Sequence, residues 1–196
     1  MSIWRKHLAL CVLLLAVGPA FAGPYEAGET AFQNEDYPLA LSLWEPLAKQ
    51  GDPAAQSKLG HMYHWGIGVS RDTQKSIKWY RMAAKQGYTD AQVFLGIVYH
   101  AGLGVPQDYL EGINWLSLAA AQGDSVAQLC LGRVYSKGEG VPQDYIMAHM
   151  WLNLAAARGN EHARTERDFV SEKMTAAQVA EAQRLAREWK PAPEKP

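Results

Sequence analysis

Cysteine is nearly missing from this 196-residue chain, with one at position 11 and one at position 130. No disulfide framework can be built from that pair once the N-terminal segment is set aside, so packing alone has to stabilise the fold. An excess of positive charge is missing too, since 19 basic side chains stand against 20 acidic ones. That balance excludes the basic stripe of a nucleic-acid-binding protein, and no nucleic-acid partner is expected. Long apolar runs are absent apart from Leu8 to Val17, and about ten residues are roughly half of what a bilayer requires. Neither Gly-x-Ser-x-Gly nor His-Glu-x-x-His occurs, and no cysteine has a plausible catalytic partner beside it. The chain therefore reads as no enzyme, and no cofactor is expected.

The apolar run has a different use. Arg5 and Lys6 precede it and Ala20-Phe21-Ala22 follows it, which is the layout of a secretory signal cleaved after Ala22. Residues 1–22 are read as that signal, and the mature protein as periplasmic or secreted without a membrane span. Arg5 and Lys6 leave with the signal and no acid does, so 17 basic groups remain against 20 acidic ones, a net of minus three. Cys11 leaves as well. Cys130 is then a lone thiol in an oxidising compartment, expected to be buried and inert, with intermolecular pairing as the alternative.

What is abundant is repetition. Gly60, Gly96 and Gly132 are 36 residues apart, and so are Tyr63, Tyr99 and Tyr135; Asp72, Asp108 and Asp144; Trp79, Trp115 and Trp151; and Gly87, Gly123 and Gly159. A fixed period of that length marks a solenoid whose units bury their apolar faces only by stacking. Each unit reads as two helices. Helix A carries Ala91, Leu95, Val98 and Tyr99 on one face, with equivalents in the units on either side. Gly66-Ile67-Gly68-Val69, Gly102-Leu103-Gly104-Val105 and Gly138-Glu139-Gly140-Val141 then close helix A and turn the chain. Read instead as a phosphate cradle, Gly-x-Gly would need a preceding strand and further glycines. Helix B starts at the capping Asp72, Asp108 or Asp144, with Glu111 completing an Asp-x-x-Glu box after Asp108. Trp79 with Ala83 and Ala84, and their equivalents, is expected to fill the inter-helix core.

Residues 91–123 read Ala-Gln-x-x-Leu-Gly-x-x-Tyr, then Gly-x-Gly-Val, Asp, Trp and Ala-Ala-x-x-Gly. This pattern resembles the Sel-one-like repeat (SLR), a relative of the tetratricopeptide repeat, and covers residues 52–160 in three copies. The resemblance implies an all-α, right-handed α/α superhelical solenoid of helix-turn-helix repeats that acts as an adaptor for protein complexes, with no catalytic residue. SLR proteins tied to β-lactam chemistry carry paired cysteines in each repeat, which this chain lacks. The organisation expected is a signal peptide (1–22), an N-terminal tetratricopeptide-like unit (23–51), SLR units over 52–88, 89–124 and 125–160, C-terminal capping helices (161–190) and a disordered tail (191–196). Pro46 should kink the second helix of the first unit, and Thr175 with Gln178 should cap the last helix.

Positions that differ between copies are where a binding surface can vary. One stripe of helix A reads Lys58, His61, Trp65 in the first SLR unit, Phe94, Ile97, Ala101 in the second and Cys130, Arg133, Lys137 in the third. In tetratricopeptide-like superhelices helix A lines the concave surface. Trp65, Phe94 and Ile97 are thus expected to form an apolar patch there, flanked by Lys58, His61, His64, His100, Arg133 and Lys137; the competing reading packs Phe94 and Ile97 between helices. A metal site of His61, His64 and His100 is not expected, because adjacent repeats lie on the order of 10 Å apart. His149 replaces Ile77 and Ile113 and should pack beside Trp151. The function expected is capture of a protein partner in the cell envelope. A scaffold or regulator associated with envelope polysaccharide or peptidoglycan, with glycan as the contact, is the alternative, and a cell-wall hydrolase the rival from another class.

Overall fold

An acceptor one residue ahead of nearly every helix sets where that helix starts. In the computed structural model, which describes residues 23–192, Asp36, Asp52, Asp72, Asp108, Asp124, Asp144, Asn160 and Thr175 each accept a backbone N–H of the first turn. They open α2 (Tyr37–Gln50), α3 (Pro53–Trp65), α4 (Thr73–Lys85), α6 (Tyr109–Ala121), α7 (Ser125–Lys137), α8 (Tyr145–Ala157), α9 (Glu161–Ser171) and α10 (Ala176–Glu188). Two helices, α1 (Pro24–Gln33) and α5 (Thr89–Ala101), start without a side-chain cap. The described residues contain these ten helices and no strand. Residues 1–22 and 193–196, which hold the expected signal peptide and most of the expected tail, lie outside the described residues.

From α1 to α9 consecutive helices pack as antiparallel neighbours, with the odd-numbered ones as helix A and the even-numbered ones as helix B. The two glycines of each loop have separate uses. Gly66, Gly102 and Gly138 are left-handed C-caps, with φ near 70°. The second glycine presses against the preceding repeat: a Cβ on Gly68 would lie 2.4 Å from Tyr37 Cβ, and one on Gly140 2.4 Å from Tyr109 Cβ. The loop signature read from the sequence is thus scaffold geometry.

The core is serial. Four of the five buried clusters among the described residues join helix B of one unit to helix A of the next, as Ile77, Tyr80, Ala83 and Ala84 join Ala91, Leu95 and Val98. The tryptophans sit differently from expectation. Tyr80, Leu116 and Leu152 are the deeply buried helix B residues, each facing the helix A glycine of its own unit, whereas Trp79, Trp115 and Trp151 are half-buried and pack onto the cluster before them. They are the ties between units. Glu111 also differs: Asp108 accepts from the Glu111 N–H, but the Glu111 carboxylate turns away to accept from Trp115 Nε1 at 2.9 Å. Thr175 and Gln178 do form a reciprocal capping box. Pro46 stays inside α2, which runs through it.

A ladder of buried glutamines completes the joints. Gln56, Gln92 and Gln128 donate from Nε2 to the carbonyls of Ala48, Ala84 and Ala120, at the ends of the preceding helices B. Gln86 and Gln122 donate in turn to Gln56 and Gln92. Arg158 replaces the next donor and lies over the Trp189 ring at 5.4 Å, leaving the Gln128 Oε1 without a partner among the described residues. The ladder stops where the solenoid is capped. There α10 folds onto α8, not onto α9, covering Met150 and Leu154 and bringing Trp189 beside Trp151. The tail expected from residue 191 begins tied down, since the Ala192 N–H donates to the Ala121 carbonyl at 2.6 Å.

Candidate functional site

Helix A residues that avoid both cores share one face of the stack. Helices α5 and α7 touch directly, as do α7 and α9, while even-numbered neighbours make closer contact only at α8 and α10. From α5 to α9 the odd-numbered helices therefore approach one another more closely than α4, α6 and α8 do.

The stripe begins with Lys58, whose Nζ lies 2.8 Å from Glu29 Oε1 on α1 and 5.6 Å over the Trp44 ring. It is an inter-helix ion pair and only partly free. His61 faces Phe32, and His64 meets both Trp65 and Phe94 edge-on at 4.6 and 4.9 Å. Burial holds both imidazoles below their ordinary pKa, helped by Lys58 at His61 and by Arg71 at His64. Between them Trp65 stands 65% exposed. Phe94 sits lower than an open patch would place it. It stacks on Tyr80 at 3.9 Å and packs against the cluster around Leu95, so only its edge reaches the histidines.

Past Ile97, which remains 37% exposed, the face opens into two adjoining cavities. The first, about 290 Å³, lies between α5 and α7 and is lined by Ile97, His100, Ala101, Cys130, Arg133 and Lys137, with Glu139 at its edge. Burial pushes the Cys130 thiol up, so it is held neutral and half-buried. His100 Nε2 lies 3.1 Å from Glu139 Oε2 without hydrogen-bond alignment, and Lys137 Nζ lies 3.7 Å from Glu139 Oε1. The second cavity, about 380 Å³, lies between α7 and α9 against Tyr145, Phe169, Val170 and Lys173. Arg133 and Lys137 belong to both. The Arg133 guanidinium grips the Glu166 carboxylate through Nε and Nη2, with Nε to Oε1 at 2.8 Å.

Glu166 and Lys173 were not singled out from the sequence, and Phe169, which reads there with Val170 as an apolar anchor of the capping helix, is instead 58% exposed. The signal was present, because a step of 36 from Cys130, Arg133 and Lys137 lands on them, just as Ala163 and Val170 follow Ala127 and Val134. The second cavity is the first one repeated. Helix α9 is thus helix A of a fifth unit, with Arg167 and Asp168 replacing the buried Leu131 and Gly132 on the side where its own helix B would pack. The predicted residues therefore fall into an aromatic group around Trp65 and a cavity group from Ile97 to Lys137. Among the described residues no cluster of three or more histidine, cysteine, aspartate or glutamate side chains is arranged to hold a metal ion.

Four stretches, residues 20–52, 53–88, 89–124 and 125–160, match the family model described as Sel1 repeat. The fold is similar to the crystal structure of a Sel1 repeat protein from Oxalobacter formigenes, at 29% identity and a TM-score of 0.69, over 73% of this chain and 59% of that one. It is also similar to a protective antigen present in uropathogenic Escherichia coli strains that displays an SLR fold, at 27% identity and a TM-score of 0.57, over 84% of this chain and 44% of the other. The chain thus matches less than two thirds of the length of either. No curated protein matches it in sequence.

Proposed function

Because the chain belongs to the Sel1 repeat family, we propose that it is a non-catalytic interaction module that holds a protein partner on the concave face of its odd-numbered helices. Repeats of this family generally serve as protein-interaction modules. The observation that carries the reading is Trp65, a large apolar side chain 65% exposed yet braced by His61 and His64. Exposed apolar surface rimmed by polar groups marks partner sites, and tryptophan is enriched among the residues that dominate binding energy. We place this activity in the cell envelope, after cleavage behind Ala22. Arg5, Lys6, the apolar run and Ala20-Phe21-Ala22 support export, and no helix among the described residues is long and apolar enough to cross a membrane.

The test is affinity capture from an envelope extract with the wild type beside a Trp65→Ala/Ile97→Ser variant. Phe94 is left intact because it is part of the core. A protein retained by the wild type and lost from a variant with unchanged helical circular dichroism is the expected result. Equal retention would move the site off this face. The mass of the exported chain checks the cleavage, and a chain that keeps residues 1–22 would refute it.

A further inference from the structure

The two cavities are one groove element used twice, and their chemistries differ in a way that selects an occupant. The α5–α7 cavity is floored by Ile97, Ala101, Leu116 and Cys130, and its edge carboxylate, Glu139, already has His100 and Lys137 beside it. An apolar side chain suits that space. The α7–α9 cavity gathers Arg133, Lys137 and Lys173 around a single carboxylate, Glu166, which Arg133 occupies. Lys173 Nζ lies 4.4 Å over the Phe169 ring and 5.6 Å over Tyr145, and among the described residues no carboxylate comes within ion-pair reach of it. Lys137 is held only loosely, with its side chain 61% exposed. A local excess of cations in a chain whose net charge is −1 calls for an anionic partner.

We propose that an extended acidic peptide segment crosses α7 in this groove, placing an apolar side chain in the α5–α7 cavity and, three residues away, a carboxylate against Lys137 and Lys173. The spacing follows from geometry. Neighbouring helices pack about 8–10 Å apart, and three residues of extended chain span about 10 Å. The proposal rests on the reading of the odd-helix face as the docking surface and narrows it to a partner of one charge and one conformation.

Cys130, on the floor of the first cavity, allows a direct test. Four blocked tetrapeptides, Cys-Ser-Ser-Asp, Asp-Ser-Ser-Cys and their lysine counterparts, are each offered as the mixed disulfide with cysteamine. The Cys130 thiolate attacks the peptide sulfur, the Cys130–peptide disulfide forms, and cysteamine leaves as a thiolate that takes up a proton, so no further oxidant is needed. Exchange is run to equilibrium at about pH 8 in excess cysteamine, and loading at Cys130 is read by mass spectrometry after digestion of the full chain.

The expected result is that an aspartate peptide, in at least one chain direction, loads Cys130 about fivefold more than its lysine counterpart at low salt. That preference should fall to parity in Lys137→Gln/Lys173→Gln and in about 0.5 M salt. Equal loading by the wild type, a preference that survives in the variant, or no loading at all would overturn the proposal. So would self-association of the wild type that Lys173→Glu abolishes, since the occupant would then be a second copy. Trp65-dependent capture of a partner that persists in the Lys137→Gln/Lys173→Gln variant would leave the interaction module standing while removing the acidic segment from it.

Discussion

His149 shows what one substitution does inside a repeated frame. It occupies the position of Ile77 and Ile113, is 2% exposed, and its Nδ1 has no partner among the described residues. Burial lowers its pKa, Arg167 lowers it further, and Asp168 opposes the shift. An unfolded imidazole takes up a proton near pH 6.5, whereas the folded one resists until lower pH. Between those values the unfolded state binds more protons, so stability falls as the pH falls. His61 and His64 act in the same direction. Urea denaturation should therefore show a lower midpoint at pH 5.5 than at pH 7.5, and His149→Ile should shrink the difference; an unchanged difference would mean that His149 titrates alike in both states. The sequence exposed the replacement because the copies could be compared. It did not expose the depth of Leu116 or Leu152, because a helical face defined by spacing is accurate to about one residue in angle and tryptophan has the larger apolar surface. Only the packed structure shows that Gly96 and Gly132 face Leu116 and Leu152, where a Cβ would come within 2.6 Å of Leu116 Cγ or Leu152 Cγ.

At the scale of helices, the joints are polar at their centre. Gln92 donates to the Ala84 carbonyl at 3.1 Å and accepts from Gln122 at 2.7 Å, with 3% of its surface exposed. Gln92→Leu keeps the volume but takes one donor from the Ala84 carbonyl, which retains the Gly87 N–H, and the acceptor from the exposed Gln122 amide, which costs about 1 kcal/mol. A drop of that size in the urea-derived unfolding free energy is expected, and a neutral effect would show that water or a neighbour replaces both bonds. The glutamines were visible as part of the repeated Ala-Gln pair, yet their role was not, since both partners come from other helices. The same holds for α10. Its capping box was legible from Thr175 and Gln178, but its seat on α8 depends on Trp189 meeting Trp151 and Arg158, contacts between residues 31 to 38 positions apart that no local pattern encodes. Ending the chain at Lys173 should bare Met150 and Leu154, lower stability by about 3 kcal/mol, and cause association that depends on concentration in sedimentation. A truncated chain that stays monomeric and equally stable would show that α10 is dispensable to the cap.

The whole molecule behaves as a row of neighbours, and the 36-residue period announced that before any element was placed. What the period did not announce was its own extent. After Gly159 the Gly-x-Gly and tryptophan signals stop, so the variable stripe of helix A was read only as far as Lys137, although α9 continues it through Phe169 and Lys173. Those signals mark helix B and the loops, and the fifth unit has a helix A without them. In such a stack stability is approximately the sum of unit terms and nearest-neighbour terms, so the position of a weakened joint matters as much as its size. Trp115 ties α6 to the Ile77–Val98 cluster in the middle of the row and also donates to Glu111. Trp115→Ala should cost about 3 kcal/mol and uncouple the halves. Hydrogen exchange under mild urea should then show helices α1 to α4 and α7 to α10 opening with different free energies, where the wild type opens them together. A variant that loses the same stability but still exchanges as one unit would show that coupling is carried instead by the glutamine ladder and the α5–α7–α9 contacts, which run beside the tryptophans along the inner rank.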